Sequence, residues 1–108
     1  MAMTLKRNTT PTIPIKINGI SSLNKVLLVF KNERFPGAPV LFEKEITSFT
    51  HLGSSWVVTV TLSAAETMKF RAPEVFVDVY PINGNTIYNT GSALRYDVID
   101  SLKPGVIQ

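Results

Sequence analysis

The chain alternates apolar and polar residues over several short stretches, which are separated by Gly, Pro and Asn. The clearest stretches are residues 13–17, 56–62 and 75–79. A period of two is typical of a strand that buries one of its faces. The pattern therefore predicts an all-β protein.

Three strands are predicted before residue 47. The first, residues 12–17, turns three isoleucines inward, and its Pro14 cannot donate to a ladder, so we expect a strand at a sheet edge or a bulge. The second, residues 25–31, is apolar on both faces, which predicts a central strand covered on both sides or facing a partner. The third, residues 40–46, places on one face Val40, Phe42, Lys44 and Ile46.

The alternation of apolar and polar residues stops after the fourth predicted strand, and a short helix is predicted there. Residues 55–62 place Trp56, Val58, Val60 and Leu62 on the inward phase, and they follow a polar connection at 47–54. Ser63 and Glu66 then form a capping-box signature, which predicts one or two helical turns that end before Pro73. We expect this helix to be a crossover at the rim of the fold.

The last third of the chain reads as a hairpin and its continuation. Asn83-Gly84 is a favoured type I′ turn, which would place Ile82 opposite Asn85. Gly91 is expected to mark a bulge or bend. The same parity predicts one buried face that includes Val75, Val77, Val79, Leu94, Tyr96 and Val98.

About seven strands and one short crossover helix predict an immunoglobulin-like antiparallel β-sandwich. A small barrel is the alternative. The length of 108 residues predicts a single domain over residues 1–108, in which residues 1–10 and 101–108 are expected to be loosely ordered.

Composition narrows the chemistry of the chain. It has no cysteine, which excludes disulfides, thiolate metal ligands and cysteine nucleophiles. The first eight residues contain a basic pair, but no apolar run of signal-peptide length follows them. The longest apolar run in the chain is residues 26–30. Since a bilayer span needs about 20 apolar residues, we expect a soluble protein with no membrane partner and no Sec-type export.

The formal charge of +3 is unevenly distributed. Up to Arg34 there are six basic residues and one acid, whereas the remainder carries five basic and seven acidic residues. This asymmetry leaves open a nucleic-acid-binding or host-directed accessory protein that uses the basic N-terminal third. The basic residues are spaced singly, however, which favours solvated strand faces and edge charges that prevent aggregation.

Candidates for catalysis are few. His51 is the only imidazole, no G-x-S-x-G elbow is present, and a single His cannot supply a zinc site. The pairs Asp97 with Asp100 and Glu43 with Glu45 lack an acid–base or calcium-loop context. No glycine-rich phosphate motif occurs. We therefore expect no enzyme, no catalytic residue, no metal and no cofactor, and a small enzyme acting on sugar or cell wall is the least favoured hypothesis.

A second apolar face is the better functional lead. On the strand that turns its valines inward, Phe76, Tyr80 and Ile82 point the other way, and Ile87 follows on the same face. Either the helix around Phe70 or a loop covers this face, or it is an assembly surface. Phe76, Tyr80, Ile82 and Ile87 are thus the candidate interface residues.

The order of features resembles a family of small structural proteins from tailed phages and prophages of Gram-positive bacteria. Five segments carry the resemblance: a Thr-rich N-terminal segment at 8–15, a strand motif at 26–31, a helix motif at 62–70, the polar turn of the hairpin, and a C-terminal segment at 93–102. Two departures stand out: Ala65, where an acid is more usual, and a loop at 36–39 that holds two prolines where charge is usual.

The resemblance implies a non-enzymatic component of the virion, in the tail or baseplate, that has an immunoglobulin-like fold. Its partners would be other virion proteins and further copies of itself, joined by β-augmentation at sheet edges. It would be assembled in the cytoplasm of the bacterial host.

Overall fold

A computed structural model describes residues 3–35, 37–71, 73–88 and 93–100. These residues form nine strands and one helical turn, so the protein is all-β, as predicted. The strands are β1 (Thr4–Lys6), β2 (Thr12–Asn18), β3 (Lys25–Lys31), β4 (Val40–Ile46), β5 (Thr50–Leu52), β6 (Ser55–Thr61), β7 (Glu74–Asn83), β8 (Thr86–Ile87) and β9 (Leu94–Ile99). The helix α1 (Ala64–Thr67) lies between β6 and β7, and no helix in the described ranges is long and apolar enough to cross a membrane.

The strands form two sheets. The larger sheet has the order β1-β9-β7-β3-β4, with β8 paired to β7, and the smaller sheet has the order β2-β6-β5. All pairs are antiparallel except β1 with β9. In immunoglobulin lettering, the small sheet is B-E-D, and the large sheet continues from G through F and C to C′. The predicted immunoglobulin-like sandwich is confirmed, and it is held without an inter-sheet disulfide because the chain has no cysteine.

The core lies between the inner faces of the sheets. Its apolar side chains alternate along each strand, as the sequence pattern predicts, and those with almost no exposed surface are Leu5, Ile13, Val26, Leu28, Phe30, Val58, Val60, Leu62, Val75 and Val77. At one end, Phe30 stacks on Phe42 with ring centroids 4.5 Å apart and lies 6.0 Å from Phe70. The Phe70 ring therefore closes the inside of the sandwich and does not cover its outer face.

The capping box at the rim is formed as predicted. The Ser63 hydroxyl accepts from the backbone N–H of Glu66 at 3.1 Å, and the Glu66 carboxylate accepts from the Ser63 N–H at 2.8 Å. The same carboxylate lies 3.0 Å from Nζ of Lys44 on β4. The capping box and the contact with Lys44 together stabilise a one-turn helix that has few internal hydrogen bonds of its own.

Two short strands lie where the sequence predicted no regular structure. In the lead, β1 pairs in parallel with β9, and Leu5 is fully buried because this pairing turns it into the core. In the polar connection at 47–54, β5 pairs with β6 and forms the edge of the smaller sheet. The expected bend at Gly91 and the expected loose tail at 101–108 lie outside the described residues.

A β-bulge changes the alternation at the start of β4. Phe30 pairs with Phe42, but the next residue, Lys31, pairs with Val40, so Leu41 is an extra residue on β4. The bulge turns Val40 to the outer face and leaves Leu41 packed against the core. The prediction that Val40 shares a face with Phe42 was therefore wrong.

The hairpin turn lies one residue later than predicted. Asn83 pairs with Thr86 and Ile82 with Ile87, so the two-residue loop is Gly84-Asn85. Gly84 has a φ of 62° and Asn85 has a negative φ, which is the sign pattern of a type II′ turn. Each residue of β7 pairs with a residue two positions later than predicted. Because side chains alternate between the faces with a period of two, the same side chains still point to the same face of the sheet.

The predicted buried face of β7 and β9 is largely confirmed. Val75 pairs with Tyr96 and Val77 with Leu94, so these side chains share the inner face. Five of the six predicted residues are buried, but Leu94 at the end of β9 remains 37% exposed. Burial of the Tyr96 ring raises the pKa of its phenol.

Candidate protein-binding surface

The outer face of the larger sheet carries a contiguous apolar patch. On β7, Tyr80 pairs with Leu27 of β3, while Ile82 pairs on its other side with Ile87 of β8. Partners across strands lie on one face with Cβ atoms about 5 Å apart, so these four side chains adjoin. We call Leu27, Tyr80, Ile82 and Ile87 the outer patch; Ile87 is 64% exposed and Tyr80 is 38% exposed.

Phe76, the remaining candidate residue, lies apart from the outer patch. Asp78 separates it from Tyr80 along β7, and its neighbours across the strands are Lys31 and Arg95. Phe76 is only 9% exposed. It helps line a cleft of about 270 Å³ whose other lining residues are Lys31, Glu33, Arg34, Phe35, Asp78, Tyr80 and Ala93. The loop that follows β3, and not the helix, therefore covers this end of the face.

Leu27 belongs to the surface although it was not among the candidate residues. It lies on the outer phase of β3, and its side chain is partly exposed beside Tyr80. The signal that could have found it was already present, because residues 25–31 are apolar on both faces. An apolar residue on the outer phase of a central strand needs a cover or a partner.

Charges of both signs border the outer patch. Lys25 lies beside Ile82, and its Nζ is 3.8 Å from the carboxylate of Glu45 on β4. On the other side, Asp78 lies 3.8 Å from Nζ of Lys31. The patch thus has the polar rim that surrounds the apolar centre of protein interfaces.

Of the residues considered for catalysis, His51, Asp97 and Asp100 have structural partners. The His51 ring stacks on the Trp56 indole with centroids 4.1 Å apart and planes 6° apart. Asp97 lies 3.1 Å from Arg95, and Asp100 lies 3.1 Å from Arg7. Among the residues that the structure describes, no group of three or more His, Cys, Asp or Glu could hold a metal ion.

The basic residues of the N-terminal third do not share one face. Arg7 donates to Asp100 and to the Met68 carbonyl at the rim, and Lys25 and Lys31 lie next to carboxylates on the larger sheet. Lys16 lies on β2 of the other sheet. Acids from later in the chain therefore balance much of the excess positive charge that the sequence shows.

Comparison with known proteins does not indicate a function for this chain. No protein-family model matches the chain, and no curated protein or solved structure matches it significantly. What the chain does is therefore inferred from the outer patch, the sheet edges and the resemblance noted in the sequence.

Proposed function

We propose that this protein is a non-enzymatic structural component that assembles with further copies of itself and with other proteins of a phage or prophage virion. The outer patch is the observation that carries the proposal: four adjoining apolar side chains lie on the outer face of a sheet, and Ile87 among them is 64% exposed. The setting in a tail or baseplate, assembled in the host cytoplasm, comes from the sequence resemblance.

The outer patch is suited to assembly because its backbone is already ordered. At Leu27, β3 is paired with both β7 and β4, while β7 is paired with β3 at Tyr80 and with β8 at Ile82, so the backbone under the patch is held in the sheet. Binding to such a surface does not require a segment to fold, which reduces the entropic cost of association. Tyrosine at the centre of the patch also adds a large side chain with few rotatable bonds.

A second copy of this chain is the partner that the rim charges favour for the outer patch. In a two-fold interface, the same patch is used on both molecules. Lys25 borders the outer patch at Ile82, and carboxylates from Glu45 and Asp78 border it near Leu27 and Tyr80. A copy turned by 180° about an axis through the patch can place its lysine near these carboxylates, which already lie 3.8 Å from Lys25 and Lys31 of their own chain. Charge pairing then sets the orientation of the two copies, and apolar burial supplies the attraction.

The test is the mass of the protein in solution, measured by light scattering coupled to size exclusion over a range of protein and salt concentrations. We expect a discrete oligomer that persists at high salt, because apolar burial is not screened. Ile87→Lys should shift the protein to a monomer. The matched control is Leu52→Lys, since Leu52 is 58% exposed on β5 of the smaller sheet, opposite Ser55 and away from the outer patch.

Three results would overturn the proposed self-assembly through the outer patch. One is an unmodified protein that is monomeric at every concentration. Another is an oligomer that Ile87→Lys leaves intact. The third is loss of the oligomer in both variants, which would show that added charge, and not the outer patch, governs association.

A further inference from the structure

We propose that the free edge of β4 accepts an extended segment of a different protein, which adds to the larger sheet as a strand and carries cationic side chains at two alternate positions. The inference rests on the proposed structural role, and it names the edge that is used and the chemistry of the partner. It concerns the backbone edge of β4, whereas self-assembly concerns the apolar side chains of the outer patch; Glu45 borders both.

The described part of the sandwich has five edge strands, and four of them are poorly suited to pairing. β8 has only two residues, and it pairs with β7 alone. β2 contains Pro14, which has no N–H to donate. β5 has only three residues and is followed by Gly53, which has a φ of 61°. β1 also has three residues, and its Lys6 carbonyl already accepts from the Thr9 hydroxyl at 2.5 Å.

β4 is the long edge strand. It has seven residues without proline or glycine, and β3 occupies only one of its sides. Its pairing with β3 is regular from Phe42 to Ile46, beyond the bulge. Alternate N–H and C=O groups of an edge strand point away from the sheet, so this stretch offers a template for one further strand.

The outer side chains of β4 disfavour pairing with a second copy of the same strand. Glu43 and Glu45 lie on its outer phase, opposite Val29 and Leu27. In a symmetric antiparallel pair of β4 strands centred on Lys44, each Glu43 would face a Glu45, and like charges directly opposite each other are destabilising. The edge therefore selects a different strand, in which Lys or Arg faces these two carboxylates.

The inner phase of β4 defines the rest of the incoming strand. Phe42 and Ile46 are partly buried against the core, so apolar residues suit the positions opposite them. Lys44 lies between them and is paired with Glu66 at 3.0 Å, so a small polar residue suits the position opposite Lys44. The order of the expected segment is thus apolar, cationic, polar, cationic, apolar.

The same features explain why an open edge does not cause general aggregation. The bulge at Leu41 interrupts the strand, Lys44 is an inward-pointing charge, and Glu43 and Glu45 add charge on the outer phase. Devices of this kind protect the edges of natural sheets. Here they also make the edge selective, because only a strand of complementary charge gains from the carboxylates.

The probe is a capped synthetic peptide, Thr-Val-Lys-Thr-Lys-Val-Thr, titrated into the full chain at moderate salt and followed by calorimetry and by amide hydrogen exchange. We expect saturable one-to-one binding and slower exchange in β4. The double variant Glu43→Lys with Glu45→Lys should lose about tenfold or more in affinity, since two favourable pairs become repulsive. The same peptide with Glu in place of Lys should bind this double variant and not the unmodified protein.

Two controls separate strand addition from simple charge attraction. A peptide N-methylated at every residue keeps its side-chain charges but has no N–H to donate to the ladder, and it should not bind. The matched protein control is Glu33→Lys with Glu74→Lys, a double reversal at acids outside β4, which should bind the basic peptide nearly as the unmodified protein does. No binding of the basic peptide, or equal binding of its N-methylated form, would overturn this inference and leave self-assembly through the outer patch unaffected.

Discussion

The hydroxyl of Thr67 joins the helical turn to the segment that precedes β2. Its Oγ1 accepts from the Thr9 N–H at 3.2 Å and lies 3.0 Å from the Thr9 carbonyl oxygen and 3.1 Å from the Ala64 carbonyl oxygen, to which it can donate. Thr67 is fully buried. One side chain therefore satisfies backbone groups of both elements away from water.

Replacing Thr67 with Val should lower the free energy of unfolding by about 1–3 kcal/mol, because the shape is kept while the partly buried Thr9 N–H loses its acceptor. Urea denaturation measures the change. Thr67→Ser, which keeps the hydroxyl, should recover most of the loss. A Val variant as stable as the unmodified protein would show that water replaces the hydroxyl.

Trp56 should contribute strongly to stability through its packing and its N–H. Its ring contacts His51 and Phe49, and Nε1 donates to the Ile20 carbonyl at 2.9 Å. Because the ring is only partly buried, we expect Trp56→Ala to cost about 2–4 kcal/mol, toward the lower part of the range for core aromatics.

Trp56→Phe isolates the indole N–H, because it keeps an aromatic ring and removes the hydrogen bond to Ile20. We expect a loss of about 1 kcal/mol by thermal and urea unfolding. If Trp56→Ala left the melting temperature unchanged, the placement of β6 against the core would be wrong.

Stability should fall at acidic pH through Glu66. Partial burial raises the pKa of its carboxyl, but the hydrogen bond from the Ser63 N–H and the contact with Lys44 outweigh it, so the pKa lies below its ordinary value. A carboxyl whose pKa is lower in the folded state stabilises the fold above its unfolded pKa of about 4.3, and this contribution is lost as the pH falls through the folded value.

The variant Glu66→Gln tests this contribution because it removes the titration and keeps a side-chain acceptor. Unfolding measured from neutral pH into the acidic range should show the unmodified protein more stable at neutral pH, with the difference shrinking as the pH falls. Glu45→Gln is the control, since its contact with Lys25 is exposed and such pairs contribute little. A difference that is constant with pH would contradict the role of the Glu66 charge.

The hairpin turn should tolerate little change at Gly84. Its φ of 62° is a conformation that other residues adopt at a cost, although a Cβ there would meet no atom within 4 Å. Gly84→Ala should therefore destabilise the protein by about 1–2 kcal/mol through backbone strain alone. Gly37→Ala serves as the control because Gly37 does not have a positive φ and the new Cβ would make ordinary contacts with Phe35.

The long alternating segments could be predicted from the sequence because the apolar residues at every second position are the ones that the fold buries. The bounds of β3 match the prediction, Pro14 lies on an edge strand, and Ser63 with Glu66 forms the expected capping box. These features depend on local chemistry that a short window of sequence contains. The sandwich follows from them because each half-buried strand needs a second layer.

The remaining features depend on long-range pairing. β1 and β5 have three residues each, too few for a periodic pattern, and the bulge at Leu41 is set by the register with β3. For the candidate surface, the alternation of side chains along β7 correctly placed Phe76 on the outer face. Its burial could not be predicted, because the loop containing Phe35 reaches it only in the folded chain.

The parallel pairing of β1 with β9 has a consequence for folding. Thr4 aligns with Asp97, so β1 can join the larger sheet only when two segments far apart in the sequence have met. Contacts so distant in sequence are slow to form. Until residues 94–99 pair with β7, that strand has β3 on one side and an open edge on the other, and this edge is a site at which partly folded chains can associate.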